Sequence, residues 1–154
     1  MDGLDSIADD TIELISFEIA GQEFCIDIRS VREIRGWTPA TRMPHAPPYV
    51  LGVINLRGSV MPVLDLRSRL GLGETEASLR HVFVVVQDGE RLAGLMVDAV
   101  QETFTVDVKL LQTPPDMESN GSDVFVDAIL PLEGRMLSRL VVGALLPKAG
   151  RLAA

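Results

Sequence analysis

The sequence has few of the residues that disulfide-stapled and metal-bound proteins depend on. Its 154 residues include one cysteine, Cys25, and two histidines, His45 and His81. A single cysteine cannot form an internal disulfide, so a secreted disulfide framework is excluded and a reducing compartment is indicated. Neither histidine belongs to a cluster with metal-ligand spacing. We therefore expect no metal site and no cofactor.

Long apolar runs and targeting signals are also missing. No apolar stretch approaches the roughly 20 residues that a membrane-spanning helix needs. Residues 1–10 are acidic and carry neither the basic segment nor the apolar segment of a secretory signal. We expect a cytoplasmic protein that does not insert directly into a membrane.

Positive charge is scarce, which bears on the partners. Fourteen basic residues stand against 22 acidic ones, for a formal net charge of −8. The nearest thing to a basic cluster, between Arg29 and Arg42, is interrupted by Glu33. Binding to a phosphate backbone requires the opposite sign, so nucleic acid is not an expected partner.

Catalytic signatures are absent from the sequence as well. It contains no Gly-x-Gly-x-x-Gly, no phosphate loop and no Gly-x-Ser-x-Gly elbow. Acidic pairs such as Asp65 with Asp98 arise by chance among so many carboxylates. We expect a protein that is not an enzyme. The alternative from another class, a small-molecule-binding or enzymatic barrel, requires a polar-lined cavity of roughly 300 Å³ or more.

What the sequence does contain is two-residue apolar alternation interrupted by glycine turns, which is typical of short β-strands. Four hairpins are predicted, with turns at Gly21, Gly58, Gly134 and across Asp88-Gly89, where Asp-Gly suits a type I′ turn. Brief helical turns are predicted at Leu66 to Leu70 and at Pro48 to Leu51. The predicted core contains Val53, Ile54, Val63, Val84 and Val97. This pattern indicates an all-β barrel or sandwich.

The sequence also contains a faint internal duplication. Leu56, Gly58, Val60 and Leu64 recur 76 positions later as Leu132, Gly134, Met136 and Leu140. Upstream, Gly21, Glu23 and Phe24 match residues 68 positions later, whereas Val31 and Glu33 match Val100 and Glu102 at 69. Half-domains of this size are marginal alone, so we expect them to share a substantial apolar interface.

One continuous stretch, from Gly52 to Arg67, is distinctive. It reads Gly-Val-Ile-Asn-Leu-Arg-Gly-Ser-Val-Met-Pro-Val-Leu-Asp-Leu-Arg and follows Val31-Arg-Glu-Ile-Arg-Gly36. The Asn-Leu-Arg-Gly turn followed by Pro-Val-x-Asp-Leu-Arg resembles the CheW family of chemotaxis coupling proteins. The likeness continues through Gly94-Leu-Met-Val-Asp98 and Gly134-Arg-Met136, and covers about Glu13 to Leu146.

This resemblance implies two intertwined five-stranded SH3-like β-barrels in one unit. We place that unit at 11–147, between an acidic N-terminal tail at 1–10 and a C-terminal tail at 148–154. It also implies a non-catalytic adaptor that couples the cytoplasmic tips of chemoreceptors to the regulatory domain of the histidine kinase CheA in membrane-associated arrays. A coupling module of a non-chemotactic signalling array is an open alternative.

The resemblance also implies the sites. Its receptor-binding side falls on Val31, Glu33, Arg57 and Thr103, and its kinase-binding side falls on Asp116 and Met117 in the loop that begins at Gln112. Gln112 stands where the family often has a basic residue. Because an arginine fork can hold a carboxylate bidentately, we expect Glu33 and Arg57 to form an oriented pair. Their counterparts in the second half, Glu102 and Glu133, are expected to repel each other.

Overall fold

The structure is a computed structural model that describes residues 10–115 and 125–147. Its ten strands form two five-stranded sheets of equal size, ordered β8-β1-β2-β10-β9 and β3-β6-β7-β5-β4. The prediction of an all-β fold is confirmed. The strands are β1 Thr11–Ile19, β2 Gln22–Asp27, β3 Val31–Gly36, β4 Val50–Leu56, β5 Ser59–Asp65, β6 Val82–Asp88, β7 Arg91–Val97, β8 Ala99–Asp107, β9 Val126–Leu132 and β10 Arg135–Leu140.

The two barrels are intertwined, as predicted. One barrel, which we call the central barrel, contains β3 to β7, and the terminal barrel contains β1, β2, β8, β9 and β10. Each five-strand repeat therefore contributes two strands to one barrel and three to the other. Each barrel also contains one parallel pairing, β5 with β7 and β10 with β2.

Three apolar clusters hold the fold together. Seven buried residues, including Phe83 and Met96, fill the central barrel, and five, including Leu14 and Leu137, fill the terminal barrel. The largest cluster contains side chains from both sheets, such as Phe17 and Val84. The expected apolar interface between the halves is confirmed, and it is larger than either barrel interior.

The predicted core residues divide between these clusters. Ile54 and Val63 lie inside the central barrel, and Val84 and Val97 lie in the shared cluster. Val53 is only half-buried, so its assignment to the core is wrong. It lies on β4, an edge strand of its sheet, and on the open side of that strand it forms an isolated bridge with Thr41.

All four predicted hairpins are present, and three have the expected turns. The pairs Ala20-Gly21, Arg57-Gly58 and Glu133-Gly134 all have positive φ at both residues, as a type I′ turn requires. The fourth prediction is wrong by one residue. Asp88 pairs with Arg91, so the loop is Gly89-Glu90, and only its glycine has positive φ. That geometry is a type II′ turn, in which glycine occupies the first position.

The same pairings correct the spacing of the duplication. Ile19 pairs with Gln22 and Asp88 with Arg91, which sets the offset of the first hairpin at 69 rather than 68. The 76-residue offset is confirmed by structure, because the short helices Leu66–Arg69 and Val142–Leu145 follow β5 and β10 at that spacing.

One of the two helical predictions is confirmed and the other is wrong. The turn at Leu66 is helical and is followed by Gly71 with φ +78°. The prediction at Pro48 to Leu51 is wrong, because β4 begins at Val50 after a turn in which Val50 N donates to Pro47 O at 2.9 Å. The prolines there set up a turn into an edge strand. The last strand ends at Leu140, and the second short helix begins at Val142.

Candidate protein-binding surfaces

The central barrel has a seam where its edge strands β3 and β4 meet. One bridge crosses it, since Thr41 and Val53 exchange backbone hydrogen bonds of 2.9 Å. The Asn-Leu-Arg-Gly motif forms the turn beside this seam. Asn55 Oδ1 accepts a 2.7 Å hydrogen bond from Gly58 N, and Arg57 has φ +52°. The motif therefore projects the Arg57 side chain from a tight turn.

Glu33 and Arg57 meet across the seam. Arg57 Nη2 donates to Glu33 Oε1 at 2.6 Å, and Arg35 Nη1 lies 3.7 Å from the other carboxylate oxygen. The Arg57 hydrogen bond lowers the pKa of Glu33 below its ordinary value. The predicted association is confirmed, but the bidentate geometry is wrong. The carboxylate is shared between two arginines, each contributing one nitrogen.

Val31 lies on the same strand as Glu33 but in a different environment. A bulge at Arg32 shifts the register, since Val31 pairs with Val86 and Glu33 pairs with Val85. Val31 is half-buried and packs against the cluster shared by both barrels. The strand therefore connects the barrel junction to the ion pair at the seam.

Thr103 lies apart from these three residues, on the terminal barrel. It is exposed on β8, where it pairs with Ile15 of β1. Its equivalent at the 69-residue offset is Ile34 of β3, which is 41% exposed. The four predicted receptor-side residues thus span both barrels, and direct contact is shown for Glu33 with Arg57.

The terminal barrel has a seam of its own. Gln112 and Ile129 exchange backbone hydrogen bonds of 2.9 and 2.8 Å there. Glu102, the counterpart of Glu33, binds Arg135 Nη2 at 2.9 Å, and Arg135 Nη1 binds Glu23 at 3.0 Å. The prediction that Glu102 and Glu133 repel each other did not foresee that Glu102 has an arginine partner. An arginine two residues beyond the turn position supplies the charge, so both seams are closed by ion pairs.

The predicted kinase-side residues, Asp116 and Met117, lie outside the residues that the structure describes. The loop leading to them begins at Gln112, whose backbone crosses the seam of the terminal barrel, and continues through the half-buried Pro114. Its described start therefore belongs to the barrel that does not carry Glu33 and Arg57.

Sequence reasoning missed two exposed apolar side chains, Val60 and Met136. Each is 67% exposed, and each is the second residue of the strand that follows a seam-side turn. They are 76 positions apart, so they occupy equivalent places on the two barrels. The duplication identified Val60 and Met136 as equivalent positions, but it did not indicate that their side chains are exposed. Exposed apolar side chains at corresponding sites are candidate contact points for partner proteins.

The groups considered for chemistry do not converge. The thiol of Cys25 is fully buried, and burial raises its pKa to about 12. Asp65 accepts hydrogen bonds from the Thr75 amide and hydroxyl at 2.9 and 2.8 Å, whereas Asp98 lies 3.3 Å from His81 Nε2. These two carboxylates stabilise different loops, so they do not form an acid–base pair.

The interiors bear on the small-molecule alternative. Apolar side chains fill both barrels, so neither barrel has the polar-lined interior that this reading requires. A surface cleft of about 350 Å³ opens at the central seam, lined by residues including Arg35, Thr38 and Val60. Its lining mixes polar residues with Ile54 of the central barrel's apolar cluster. Among residues 10–115 and 125–147, no helix has the length and hydropathy needed to cross a membrane.

Comparison with known proteins agrees with this architecture. The family model described as a CheW-like domain matches residues 13–150. The chain is 49% identical over 142 residues to the chemotaxis protein CheW of Rhizobium meliloti (strain 1021), covering 92% of each. It is 34% identical to the chemotaxis protein CheW of Bacillus subtilis (strain 168), covering 88% of this chain and 87% of that protein.

A solved structure is similar as well. The crystal structure of the scaffolding protein TtCheW from Thermoanaerobacter tengcongensis superposes with a TM-score of 0.78 at 29% identity, covering 90% of each chain. Apolar side chains fill both barrels, and the Glu33–Arg57 pair lies on the outside. This arrangement is typical of a scaffolding module. The chain belongs to the CheW-like family, and its function is that of a chemotaxis adaptor.

Proposed function

We propose that the chain couples the cytoplasmic tips of chemoreceptors to the regulatory domain of the histidine kinase CheA, without catalysing a reaction itself. The acting unit is 11–147, in the cytoplasm, recruited to membrane-associated receptor arrays. The observation that carries this proposal is the Glu33–Arg57 pair, a 2.6 Å contact that sets the shape of the central seam. Membership of the family and the names of its relatives support chemotaxis over another signalling array.

The receptor surface in this proposal contains Val31, Glu33, Arg57 and Thr103. Val31 supplies apolar area at the junction of the barrels, and the ion pair supplies charge beside it. Thr103 extends the surface onto the terminal barrel, where it is exposed. A helical hairpin has both an apolar stripe and charged flanks, so a surface of this kind suits it.

The kinase surface in this proposal contains Asp116 and Met117. Their loop leaves the terminal barrel at Gln112, away from the seam that carries Glu33 and Arg57. An adaptor has to hold two partners at once, and three of the four receptor-side residues belong to the central barrel, whereas the kinase loop starts on the terminal barrel. A methionine side chain is flexible and polarisable, which makes it a suitable apolar anchor.

Simultaneous binding is the test of this proposal. A receptor-tip fragment and the kinase regulatory domain are titrated into the protein by calorimetry, each alone and each in the presence of a saturating amount of the other. We expect both partners to bind, with affinities that change less than threefold when the other is present. Displacement of one partner by the other, or failure of either to bind, would contradict it.

A further inference from the structure

Two aromatic side chains occupy equivalent positions in the two repeats. Tyr49 and Phe125 are 76 residues apart, and each directly precedes the strand, β4 or β9, on the outer edge of its barrel. Their backbones are used in the same way. Asp65 N donates to Tyr49 O at 2.8 Å, and Val141 N donates to Phe125 O at 2.7 Å, again 76 positions on. The repeat therefore relates the two rings.

A single guanidinium contacts both rings. Arg69 Cζ lies 4.1 Å from the centre of the Tyr49 ring and 4.8 Å from that of Phe125, within the range of cation–π attraction. The midpoint between two residues related by a pseudo-twofold lies on its axis, and contact with both rings places the Arg69 guanidinium close to that midpoint. The counterpart of Arg69, 76 positions on, is Leu145, so the repeat supplies one arginine to this position.

The same guanidinium caps the second short helix. Arg69 Nε donates to Leu145 O at 2.9 Å, and Nη2 donates to Ala144 O at 3.0 Å. Carbonyls at a helix end lack partners within the helix, so these bonds satisfy acceptors that burial would otherwise leave unpaired. Among the described residues, no carboxylate lies within ion-pair distance of Arg69, so its contacts are with ring faces and carbonyls.

These contacts cross from one barrel to the other. Tyr49 and Arg69 flank strands of the central barrel, whereas Phe125, Ala144 and Leu145 flank strands of the terminal barrel.

Arg91 of β7 makes a second contact of this kind, since its Nη1 donates to Pro147 O at 3.0 Å and its Nη2 to Gly143 O at 3.3 Å. The shared apolar cluster fills much of the rest of the junction. Hydrophobic contact is non-directional, so these hydrogen bonds add direction to what the cluster and the one-residue link at Asp98 provide. Hydrogen bonds from a planar guanidinium do have direction.

We propose that Arg69 is a positioning residue that holds the two barrels in their relative orientation at the junction. It thereby fixes the geometry between the receptor surface on one side and the kinase surface on the other. This second consequence rests on the proposed function, whereas the orientation itself does not. Arg69 contacts none of the four receptor-side residues, so we expect its loss to act on coupling and to leave the receptor contacts in place.

Arg69→Met and Arg67→Met form a matched pair of variants. Arg67 is on the same short helix, but its Nε donates to Leu72 O at 3.0 Å within the central barrel. Arg69→Lys is the conservative variant, since it keeps the cation and loses the fork.

Spin labels are placed on Glu13→Cys and Glu90→Cys, which are exposed sites on the two barrels. The buried thiol of Cys25, with its pKa near 12, does not compete for the label.

Pulsed electron paramagnetic resonance then measures the distance between the labels. We expect the distribution to shift or broaden by at least about 3 Å in Arg69→Met, to change less in Arg69→Lys and to match the unsubstituted protein in Arg67→Met. An unchanged distribution in Arg69→Met would overturn the proposal, and so would an equal change in Arg67→Met. If Arg69→Met does not fold, the comparison of Arg69→Lys with Arg67→Lys decides in the same way.

A binding experiment tests the consequence for coupling. Receptor-tip and kinase-domain affinities of Arg69→Met, each measured alone, should stay within about threefold of the unsubstituted protein, while the kinase activity that receptor-bearing vesicles elicit through the protein, at equal amounts of bound kinase, falls at least fivefold. Unchanged activity per bound kinase would remove Arg69 from coupling. If the unsubstituted protein binds neither partner, the proposed function fails, and the distance measurement still decides whether Arg69 orients the barrels.

Discussion

Glu33 and Arg57, 24 positions apart in the sequence, are joined by a 2.6 Å hydrogen bond across the seam of the central barrel. The carboxylate belongs to edge strand β3 and the guanidinium to the turn between β4 and β5. The terminal barrel closes its own seam with Glu102 and Arg135, at 2.9 Å. Both barrels thus have an ion pair of this kind. The central seam differs because its arginine, Arg57, is exposed at the tip of a turn.

Reversing charges in the pair tests its role. Glu33→Lys and Arg57→Glu each place like charges together, and each should weaken receptor binding at least tenfold while melting changes little, because the Arg57 side chain is largely exposed and that of Glu33 is partly exposed. The double exchange restores opposite charges, but Arg35 then faces a lysine at position 33. Rescue of receptor binding, measured by co-sedimentation, should therefore be partial.

Arg29→Glu is the matched control for these exchanges, since Arg29 is an exposed arginine paired with Asp27 at 2.8 Å. It should leave receptor binding unchanged. Additive losses in the double exchange would show that Glu33 and Arg57 act independently, and a loss in Arg29→Glu equal to that in Arg57→Glu would reduce the effect to net charge.

The shared core is tested by Val84→Asp. Val84 is fully buried in the cluster between the barrels, and an unpaired carboxylate there should cost at least about 3 kcal/mol, a large share of an ordinary domain's stability. Aggregation or loss of the cooperative melt is the expected outcome. Val60→Asp carries the same substitution at a 67% exposed site on the same barrel and should melt normally. A soluble, cooperatively melting Val84→Asp protein would refute the packing described for β6.

The kinase anchor is tested by Met117→Asp, which should weaken binding to the kinase regulatory domain by about 1 to 3 kcal/mol in titration calorimetry. Leu79→Asp is the control, because Leu79 is an exposed apolar residue outside the proposed surfaces. Met136→Asp tests the exposed methionine on the terminal barrel as an alternative contact. Equal affinity in Met117→Asp and the unsubstituted protein would exclude Met117. A loss confined to Met136→Asp would move the contact to the turn between β9 and β10.

Cys25 predicts an alkaline signature. In the unfolded chain the thiol ionises near its ordinary pKa of 9.0, whereas burial raises the native pKa to about 12. Above pH 9 the unfolded state therefore binds fewer protons than the native state, and stability falls with rising pH by up to about 1.4 kcal/mol per unit. Denaturant unfolding of Cys25→Ala should lack this component. Parallel profiles for the two proteins from about pH 8 to about pH 10.5 would show that the thiol is not buried as described.

Much of this fold could be predicted because its signals are local. Alternation and glycine turns located all four hairpins, and Gly58 and Gly134 lie in their turns with positive φ. The errors arose where two local solutions compete. Asp88-Gly89 suits a type I′ turn, but pairing of Asp88 with Arg91 selects the next two residues. Pro48 is compatible with a helix start or with a turn into an edge strand, and pairing of Val50 with Leu64 decides.

The candidate site was only partly predictable, because its geometry depends on the barrels closing. The motif identified Arg57, but the sharing of Glu33 between Arg57 and Arg35 depends on a bulge at Arg32 that has no glycine to mark it. Arg69 was missed for the same kind of reason. Its partners Phe125, Ala144 and Leu145 are at least 56 residues away in sequence.

The central claim is that this chain joins a receptor to a kinase. The most direct measurement is co-sedimentation of CheA with vesicles that display receptor cytoplasmic tips, with and without the protein. We expect kinase recovery to rise at least tenfold when the protein is present, and to return to background when a free receptor-tip fragment is added in excess. Equal recovery of the kinase without the protein, or recovery that falls when it is added, would contradict the account.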